Sequence, residues 1–427
     1  MNIPDLYHYF LKSTGVSTDT RTLEKGNLFF CLKGENFNGN QFIQNALDGG
    51  ASFVVYDDKK FTPKSSNAIY VENSLVALQA LAKHHRNQFD IPVLGLTGSN
   101  GKTTTKELIN AVLSQNFEVM ATHGNLNNHI GVPLTLLRIK SSTQIAIIEM
   151  GANHREEIAF LSELARPTLG YITNFGKAHL EGFGGEEGVI KGKSELYAFL
   201  KLNDGKALVN GDDEKQLLQS RELNRFVFGK NATVDLQLTI NTNENGFCVV
   251  HVNEVEMPSQ LTGEYNFGNL NAAVAFGVFF ELSLNQIKKG IVSYSPTNNR
   301  SQWKSTLKNR LLLDAYNANP TSMLAALNAF AKVKGENKVV VLGDMLELGP
   351  YCASEHQSIV EHVMDLELSA VFLVGPAFSA TRYPSNFMAF KATHEIKAYL
   401  EKHAVEGATI LLKGSRGIAL EQLLDLL

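Results

Sequence analysis

The chain has 427 residues, of which 44% are apolar and 19% are charged, and its formal net charge is −4. This length predicts more than one domain, each with a sizeable buried core. The slightly acidic balance and the lack of a Lys/Arg-rich run argue against binding to nucleic acid or to an anionic membrane surface. Three widely spaced cysteines, Cys31, Cys248 and Cys352, predict neither a disulfide framework nor a zinc cluster.

The first residues carry no basic segment followed by a long apolar run and a cleavage site. Nowhere does the chain reach the roughly 18 consecutive apolar residues that a membrane span requires. We therefore expect a cytoplasmic protein without membrane insertion.

The pattern of apolar residues divides the chain into three parts. In the first part, strands are predicted at 28–32, 52–56 and 68–71, and a helix at 75–86. The second part opens with an apolar strand at 91–96, a glycine loop and an amphipathic helix, and further strands are predicted at 145–150, 171–174 and 207–210. Strands that alternate with helices predict a mostly parallel sheet. Short alternating strands over 226–257 indicate an antiparallel edge or flap, and a helix over 269–282 follows.

A segment rich in Ser, Asn and Pro at 292–299 predicts a linker. Beyond it the alternation of strand and helix restarts, with strands predicted at 311–314, 339–342, 371–374 and 409–412. This part resembles a small dinucleotide-fold domain but has no Gly-x-Gly-x-x-Gly fingerprint. The expected fold class is α/β with three domains: a small α/β N-terminal domain (1–88), a central parallel-sheet P-loop ATPase domain (89–297) and a Rossmann-like C-terminal domain (298–427).

A glycine-rich loop at 95–104 (GLTGSNGKTT) joins the first strand of the central domain to its first helix. The backbone N–H groups of such a loop, with a helix N-terminus behind them, form a cradle for the phosphates of a nucleotide. Lys102 supplies charge for the β- and γ-phosphate oxygens, and the Thr103 hydroxyl can ligate Mg²⁺. A strict P-loop needs glycine where this chain has Leu96, so the loop is a variant. The predicted nucleotide contacts are Gly98, Ser99, Asn100, Gly101, Lys102, Thr103 and Thr104.

With Asn100 in front of Gly-Lys-Thr, the loop resembles that of the Mur ligase and folylpolyglutamate synthetase superfamily, whose members use ATP to join a carboxylate to an amine. The stretch 124–137 (GNLNNHIGVPLTLL) and the loop 314–323 (DAYNANPTSM) are similar to the MurF-type branch, which adds D-alanyl-D-alanine to a UDP-N-acetylmuramoyl-tripeptide. Taken alone, the Asn-rich stretch would be a polar turn. In this context we predict that Asn127 and Asn128 contact substrate.

Three further residues of the central domain are candidates for metal binding and catalysis. Glu149 ends an apolar strand and can hold Mg²⁺, although carboxylates of this kind are usually solvated. A lone His such as His179 is more often structural, but the resemblance implies that it binds a second Mg²⁺. Lys193 alone would be a surface lysine, whereas in the family the lysine of this Lys-x-x-Leu-Tyr pattern carries a carbamate. The predicted metal site comprises Thr103, Glu149, His179 and Lys193, and the catalytic set comprises Lys102, His179 and Lys193.

The resemblance also implies nucleotide contacts outside the loop. Asn269 would contact adenine, or alternatively cap the following helix; nearby, Tyr265 replaces the usual His of the family. Arg300 would face the γ-phosphate. When the domains close, Asp314 would reach the ribose and Asn317 the phosphates.

The remaining predicted contacts concern the two substrates that are joined. Lys413 and Arg416, in the loop 413–417, would meet the incoming dipeptide. Thr20 and Arg21 lie in a part that resembles the UDP-sugar-binding domain of the family.

The resemblance therefore implies ATP-dependent ligation of D-alanyl-D-alanine to a UDP-N-acetylmuramoyl-tripeptide through an acyl phosphate, by a monomer that uses two Mg²⁺ ions and a carbamylated Lys193. One alternative is another Mur-type or folylpolyglutamate-type amino acid ligase. A second alternative is a nucleotide-binding module without catalysis.

Overall fold

The N-terminal part of the computed structural model is a small parallel sheet with helices on its faces; the structure describes residues 1–61, 63, 65–231 and 233–427. Its elements are α1 (Ile3–Leu11), β1 (Val16–Ser17), β2 (Leu28–Phe30), β3 (Lys33–Gly34), β4 (Phe37–Asn38), α2 (Ile43–Asp48), β5 (Phe53–Tyr56), β6 (Ala68–Tyr70) and α3 (Ser74–Arg86). The sheet has the order β1-β2-β5-β6 with every pair parallel. A short antiparallel hairpin joins β3 and β4.

The helix α3 connects this part to the rest of the molecule. It begins after Asn73, whose side chain accepts the N–H of Val76 as an N-cap. At its C-terminal end, the Arg86 guanidinium donates to the carbonyls of Ala165 and Arg166. These bonds fix the N-terminal part against the central one.

The central part is built around a larger parallel sheet. Its elements are β7 (Val93–Thr97), α4 (Lys102–Leu113), β8 (Val119–Ala121), α5 (Gly131–Leu136), β9 (Ile145–Glu149), α6 (Glu157–Ala165), β10 (Leu169–Ile172), α7 (Leu180–Phe183), α8 (Glu186–Leu202), β11 (Lys206–Asn210), α9 (Glu214–Gln219), β12 (Asn224–Gly229), β13 (Leu236–Gln237), β14 (Thr239–Thr242), β15 (Phe247–Val252), β16 (Val255–Thr262), α10 (Phe267–Phe279) and α11 (Leu284–Ser293).

The strand order in this sheet is β13-β12-β11-β10-β7-β9-β8. After β7 the chain builds one side of the sheet with β8 and β9, and then crosses to the other side with β10. The carboxyl end of β7 is therefore a topological switch point, where open α/β sheets bind ligands. Both faces of β7 are buried, since α4 and α10 pack together on one face and α8 contacts the other.

The C-terminal part is built around a six-stranded sheet. Its elements are β17 (Gln302–Ser305), β18 (Arg310–Asp314), α12 (Pro320–Ala331), β19 (Lys338–Gly343), α13 (Cys352–Met364), β20 (Ala370–Val374), α14 (Pro376–Ser379), β21 (Phe387–Phe390), α15 (Thr393–Leu400) and β22 (Thr409–Lys413). The order is β17-β18-β22-β19-β20-β21, in which β17 runs antiparallel to β18 and the other pairs are parallel.

The predicted α/β class with three domains is confirmed. The prediction of antiparallel strands over 226–257 is partly wrong. Strands β12 and β13 extend the parallel sheet, and only β14, β15 and β16 form an antiparallel one. Strand β12 lies between β13 and β11 and is only partly buried over its first four residues, so it lacks the continuous apolar run of a fully buried parallel strand.

The predicted helix over 269–282 corresponds to α10, and a further helix, α11, was not predicted. A Ser283 capping box begins α11, and the helix continues to Ser293, inside the predicted linker. Within the described residues, no helix is long and apolar enough to cross a membrane.

Candidate active site

A cavity of about 670 Å³ lies between the central and C-terminal parts, at the carboxyl end of β7. It gathers predicted site residues from many segments that are far apart in the chain. Those that line it are Ser99, Asn100, Gly101, Lys102, Thr103, Thr104, Asn127, Asn128, Glu149, His179, Asn269, Arg300, Asp314, Asn317 and Lys413. Gly98 and Lys193 are not part of the lining but contact it, through Lys102 and Ala152 respectively. Thr20, Arg21 and Arg416 do not contribute to it.

The glycine loop between β7 and α4 requires two of its glycines. Gly98 has φ 138° and Gly101 has φ 78°, values that disfavour other residues. A Cβ at Gly98 would lie 2.0 Å from Thr173 Oγ1, and one at Gly101 would lie 2.4 Å from Asn269 Oδ1. The loop is therefore pressed against its neighbours on both sides, and its backbone N–H groups are held at the cavity.

The Lys102 side chain folds back over this loop. Its ammonium donates to the carbonyls of Gly98, at 2.7 Å, and Ser99, at 3.3 Å. Burial lowers the pKa of Lys102; Glu149 partly opposes this effect, and Arg300 adds to it. The ammonium thus stands at the glycine loop, bonded to two of its carbonyls, which the oxygens of an anionic ligand could replace.

Glu149 is buried, with 1% of its surface exposed, so the alternative of a solvated carboxylate is wrong. Its Oε1 accepts from the Thr103 hydroxyl at 3.1 Å and from Asn127 Nδ2 at 2.8 Å. Its Oε2 has no hydrogen-bond partner among the described residues and lies 3.6 Å from Lys106 Nζ. A buried anionic oxygen without a hydrogen bond is open to a cation.

Sequence reasoning missed Lys106. This lysine is 2% exposed and also donates to the carbonyl of Gly124 at 3.2 Å. It lies one helical turn after Lys102 on α4, a spacing that could have marked it as facing the same side of the helix.

Asn269 does not cap a helix. It lies inside α10, whose N-cap is Asn266. Its Oδ1 accepts from the Thr105 hydroxyl at 2.9 Å, and its Nδ2 donates to Asn266 Oδ1 at 2.8 Å. Tyr265, which replaces the family's His, lies in the turn before α10 and shares a 2.9 Å hydrogen bond with the Ser301 hydroxyl. It so connects this turn to the segment that enters the C-terminal part.

His179 faces the C-terminal part. It has a left-handed backbone, with φ 52°, just before α7, and its Nδ1 pairs with the Glu347 carboxylate. The hydrogen bond from His179 lowers the pKa of Glu347. An ion pair between Lys177 and Glu355, at 3.0 Å, also joins the same two parts. Neither partner was predicted, because nothing local in the sequence connects these positions.

Lys193 is fully buried, so the alternative of a surface lysine is wrong. Its ammonium donates to the carbonyl of Ala152 at 3.1 Å and lies 4.8 Å from the centre of the Phe183 ring. Burial lowers the pKa of Lys193 well below its usual value; Lys102 lowers it further, and Glu157 opposes the change. Burial therefore favours the neutral form of this amine over the charged form.

The C-terminal part contributes one wall of the cavity. The Arg300 guanidinium stacks on the Tyr316 ring at 3.6 Å. Asp314 ends β18; its Oδ1 accepts the Ser301 N–H at 3.1 Å, and its Oδ2 lies 2.6 Å from Lys413 Nζ. Lys413 is 1% exposed, and its ammonium contacts the Asp314 carboxylate directly.

Asn317, also predicted to contact phosphate, lines the cavity from the loop before α12, and its carbonyl accepts weakly from Lys413 at 3.4 Å.

Three predicted substrate contacts lie elsewhere. Arg21 is exposed and forms a bidentate pair with Asp19, which lowers the pKa of Asp19 to about 2. Thr20 is half-buried beside it. Arg416 is exposed and pairs with Glu421 at 3.0 Å. The structure does not bring these residues to the cavity.

Comparison with known proteins identifies relatives of all three parts. Family models match residues 12–86 (Mur ligase family, catalytic domain), 96–277 (Mur ligase middle domain) and 299–416 (Mur ligase, glutamate ligase domain). A UDP-N-acetylmuramoyl-tripeptide–D-alanyl-D-alanine ligase of Bacillus subtilis is 37% identical, over 96% of this chain and 92% of the relative.

Two solved structures share the whole architecture. The crystal structure of MurF from Acinetobacter baumannii superimposes with a TM-score of 0.86 and is 29% identical, covering 99% of this chain and 98% of that one. MurF ligase from Thermotoga maritima in complex with ADP has a TM-score of 0.83 and 26% identity, covering 98% and 97% of the two chains.

Proposed function

The chain belongs to the Mur ligase family, and we propose that it uses ATP to join D-alanyl-D-alanine to a UDP-N-acetylmuramoyl-tripeptide in peptidoglycan precursor synthesis. One observation carries the proposal. A phosphate loop, a buried carboxylate and the Asp314 loop of the C-terminal part line one cavity. The relative from Bacillus subtilis, which matches this chain over nearly its full length, supports the choice of substrates.

In this reaction an oxygen of the tripeptide carboxylate attacks the γ-phosphorus of ATP, and ADP leaves. The dipeptide amine then attacks the acyl carbon, loses a proton, and displaces phosphate. The enzyme's task is to position the reactants and to stabilise the charge on the transferring phosphoryl group. We assign the cationic part of this task to Lys102 and Arg300, which line the cavity.

The Thr103–Glu149 pair fits Mg²⁺. No group of three or more His, Cys, Asp or Glu side chains in the described part of the chain is arranged to hold a metal. Mg²⁺ in phosphate-transfer enzymes is typically held by one or two protein oxygens together with substrate phosphates. Thr103 and Glu149 would hold one ion, and His179 with a modified Lys193 would hold a second. When bound, the ions neutralise charge on the phosphate oxygens.

Lys193 is a suitable site for carbamylation. A neutral amine can add to CO₂ to form a carbamate with loss of one proton, and burial favours the neutral form of this lysine. The product would be an anionic oxygen donor next to Ala152, which lines the cavity. The modification would therefore replace a buried cation with a ligand of the type that Mg²⁺ prefers.

We further propose that residues 1–88, 89–297 and 298–427 have separate binding roles. The first would bind the UDP-sugar, with Thr20 and Arg21 as candidate contacts. The second would bind ATP through residues 98–104 and Asn269, and substrate through Asn127 and Asn128.

The third part would close on the nucleotide through Asp314 and Asn317. Arg416 remains the candidate for the dipeptide, whereas Lys413 would act by holding Asp314. Because one chain supplies every wall of the cavity, we propose a monomer. We place the reaction in the cytoplasm because it consumes ATP and a UDP-linked substrate.

A phosphate-release assay with a panel of substrates tests the function. We expect release that requires ATP, UDP-N-acetylmuramoyl-tripeptide and D-alanyl-D-alanine together. Turnover with a single amino acid but not with the dipeptide would indicate another Mur-type or folylpolyglutamate-type ligase. Binding of ATP without turnover on any substrate would indicate a nucleotide-binding module.

A further inference from the structure

One hydrogen bond joins the phosphate loop directly to the C-terminal part. Asn319 Nδ2 donates to Asn100 Oδ1 at 2.7 Å, across 219 residues of chain. From this contact we infer that Asn319 is a positioning residue, which locks the phosphate loop in place when the C-terminal part closes over the nucleotide. The inference rests on the proposed function and adds a residue to it.

The orientation of the Asn319 amide is fixed by its own helix. It is the N-cap of α12: its Oδ1 accepts the Ser322 N–H at 2.9 Å, and its backbone N–H is accepted by the Ser322 hydroxyl at 3.1 Å. With Oδ1 committed to the cap, only the NH₂ end of the amide remains to face the loop. Asn319 therefore acts as a donor at this interface.

The acceptor, Asn100, is the residue of the loop on which other contacts converge. Its backbone N–H is accepted by Asn174 Oδ1 at 3.2 Å, and its carbonyl accepts from the Thr173 hydroxyl at 2.5 Å and from Asn174 Nδ2 at 3.1 Å. These bonds hold the backbone from within the central part. The Asn100 side chain, in contrast, contacts the C-terminal part.

The Asn100 side chain depends on Asn319. Its Nδ2 is shielded from solvent and has no hydrogen-bond partner among the described residues. A Cβ at Gly176 would lie 2.9 Å from this nitrogen, so Gly176 leaves room for the amide but offers it no side-chain partner. Without the Asn319 donor, neither polar atom of the amide would be satisfied in the closed arrangement, a costly state.

The contact belongs to a polar interface, as expected for parts that move relative to each other. The first turn of α12 adds a second contact, since the Thr321 hydroxyl accepts the Lys177 N–H at 3.0 Å. Opening would expose these groups to water, which can satisfy them, whereas closing pairs them with each other. The hydrogen bond between Asn319 and Asn100 therefore couples closure of the C-terminal part to the position of the phosphate loop.

The test uses Asn319→Ser, because serine still caps a helix but is too short to reach Asn100. We expect kcat of the ligase reaction to fall about tenfold, the value of one hydrogen bond near the upper end of its usual range. KM for ATP should change less than about twofold, because ATP binds the loop before closure. Asn100→Ala should produce a similar loss.

The double variant should be no slower than the slower single variant, because both changes remove the same bond. The matched control is Asn73→Ser, the same substitution at the N-cap of α3 and far from the cavity, which should leave kcat unchanged. Losses that multiply in the double variant, or an unchanged kcat in Asn319→Ser with normal thermal stability, would overturn the inference.

A second measurement separates this inference from the proposed function. Small-angle X-ray scattering with a non-hydrolysable ATP analogue follows closure without turnover. We expect the analogue to reduce the radius of gyration of the wild type more than that of Asn319→Ser. Equal compaction of both proteins would overturn the positioning role of Asn319, whether or not the wild type is a ligase. An inactive wild type would overturn only the proposed function.

Discussion

The Thr103 hydroxyl donates to the Glu149 carboxylate across 3.1 Å, although 46 residues separate them in the chain. Their meeting follows from the sheet, because β7 and β9 are adjacent parallel strands in which Leu96 pairs with Glu149. The carboxylate at the end of β9 is therefore brought beside the helix that follows β7. Adjacent parallel strands thus assemble the proposed metal site from two distant segments.

Replacing Glu149 tests this site. Glu149→Gln keeps the size of the side chain and an oxygen for Thr103 and Asn127, but removes the negative charge. We expect kcat to fall by at least about 100-fold, since metal-assisted charge stabilisation supplies several kcal/mol. Steady-state kinetics at increasing Mg²⁺ would measure the effect. Glu163→Gln, an exposed position on α6, is the matched control, and equal activity of the two variants would contradict the assignment.

Lys193 offers a test of the carbamate. Lys193→Met preserves an apolar shape in the buried environment, so we expect a folded protein with little ligase activity. The exposed lysine on the same helix, changed in Lys191→Met, should remain active.

In buffer depleted of CO₂, the wild type should lose activity and recover it with bicarbonate, as followed by phosphate release. Full activity of Lys193→Met, or indifference of the wild type to CO₂, would remove the carbamate from the mechanism.

Much of the fold could be predicted from the sequence because its signals are local. The strand, glycine loop and helix around Gly98 and Gly101 follow from apolar runs and from backbone freedom. Asn319 and Pro320 similarly predict the start of α12.

Non-local features could not be predicted. The burial of Lys193 depends on Phe183 and Ala152, and the pairing of His179 with Glu347 depends on how two parts of the chain meet. The role of Lys106 could not be predicted for the same reason. Its partner, Glu149, lies near it only because β7 and β9 are neighbours in the sheet. Patterns of residues identify elements, whereas the partners of charged side chains emerge from the packing of those elements.

The pair of Lys413 and Asp314 should contribute to stability as well as to the site. Lys413→Met leaves the Asp314 carboxylate without its cation, in a position where its side chain is 17% exposed. We expect the free energy of unfolding to fall by about 3 kcal/mol, the lower end of the range for breaking a buried pair. Urea denaturation would measure it, with exposed Lys402→Met as the control. Equal stability of the two variants would show that the pair is not needed for folding.

His85 predicts how acid affects the junction between the N-terminal and central parts. This residue of α3 is buried; its Nε2 lies 2.9 Å from the Ile139 carbonyl, and its Nδ1 lies 3.1 Å from the Tyr7 hydroxyl. Burial lowers the pKa of His85, the bond to Ile139 opposes this effect, and the neighbouring His84 adds to it. Protonation of His85 is therefore less favourable in the native chain than in the unfolded chain, where a histidine titrates near pH 6.5.

Since the unfolded chain binds more protons, stability falls as the pH drops below about 6.5 and levels off below the depressed native pKa. His85→Gln keeps a donor for Ile139 and cannot titrate, so it should lose this part of the pH dependence. Thermal unfolding between pH 5 and pH 8 measures the effect. His8→Gln, on the exposed face of α1, should keep the wild-type profile. If His85→Gln shows the same slope as the wild type, the acid sensitivity has another source.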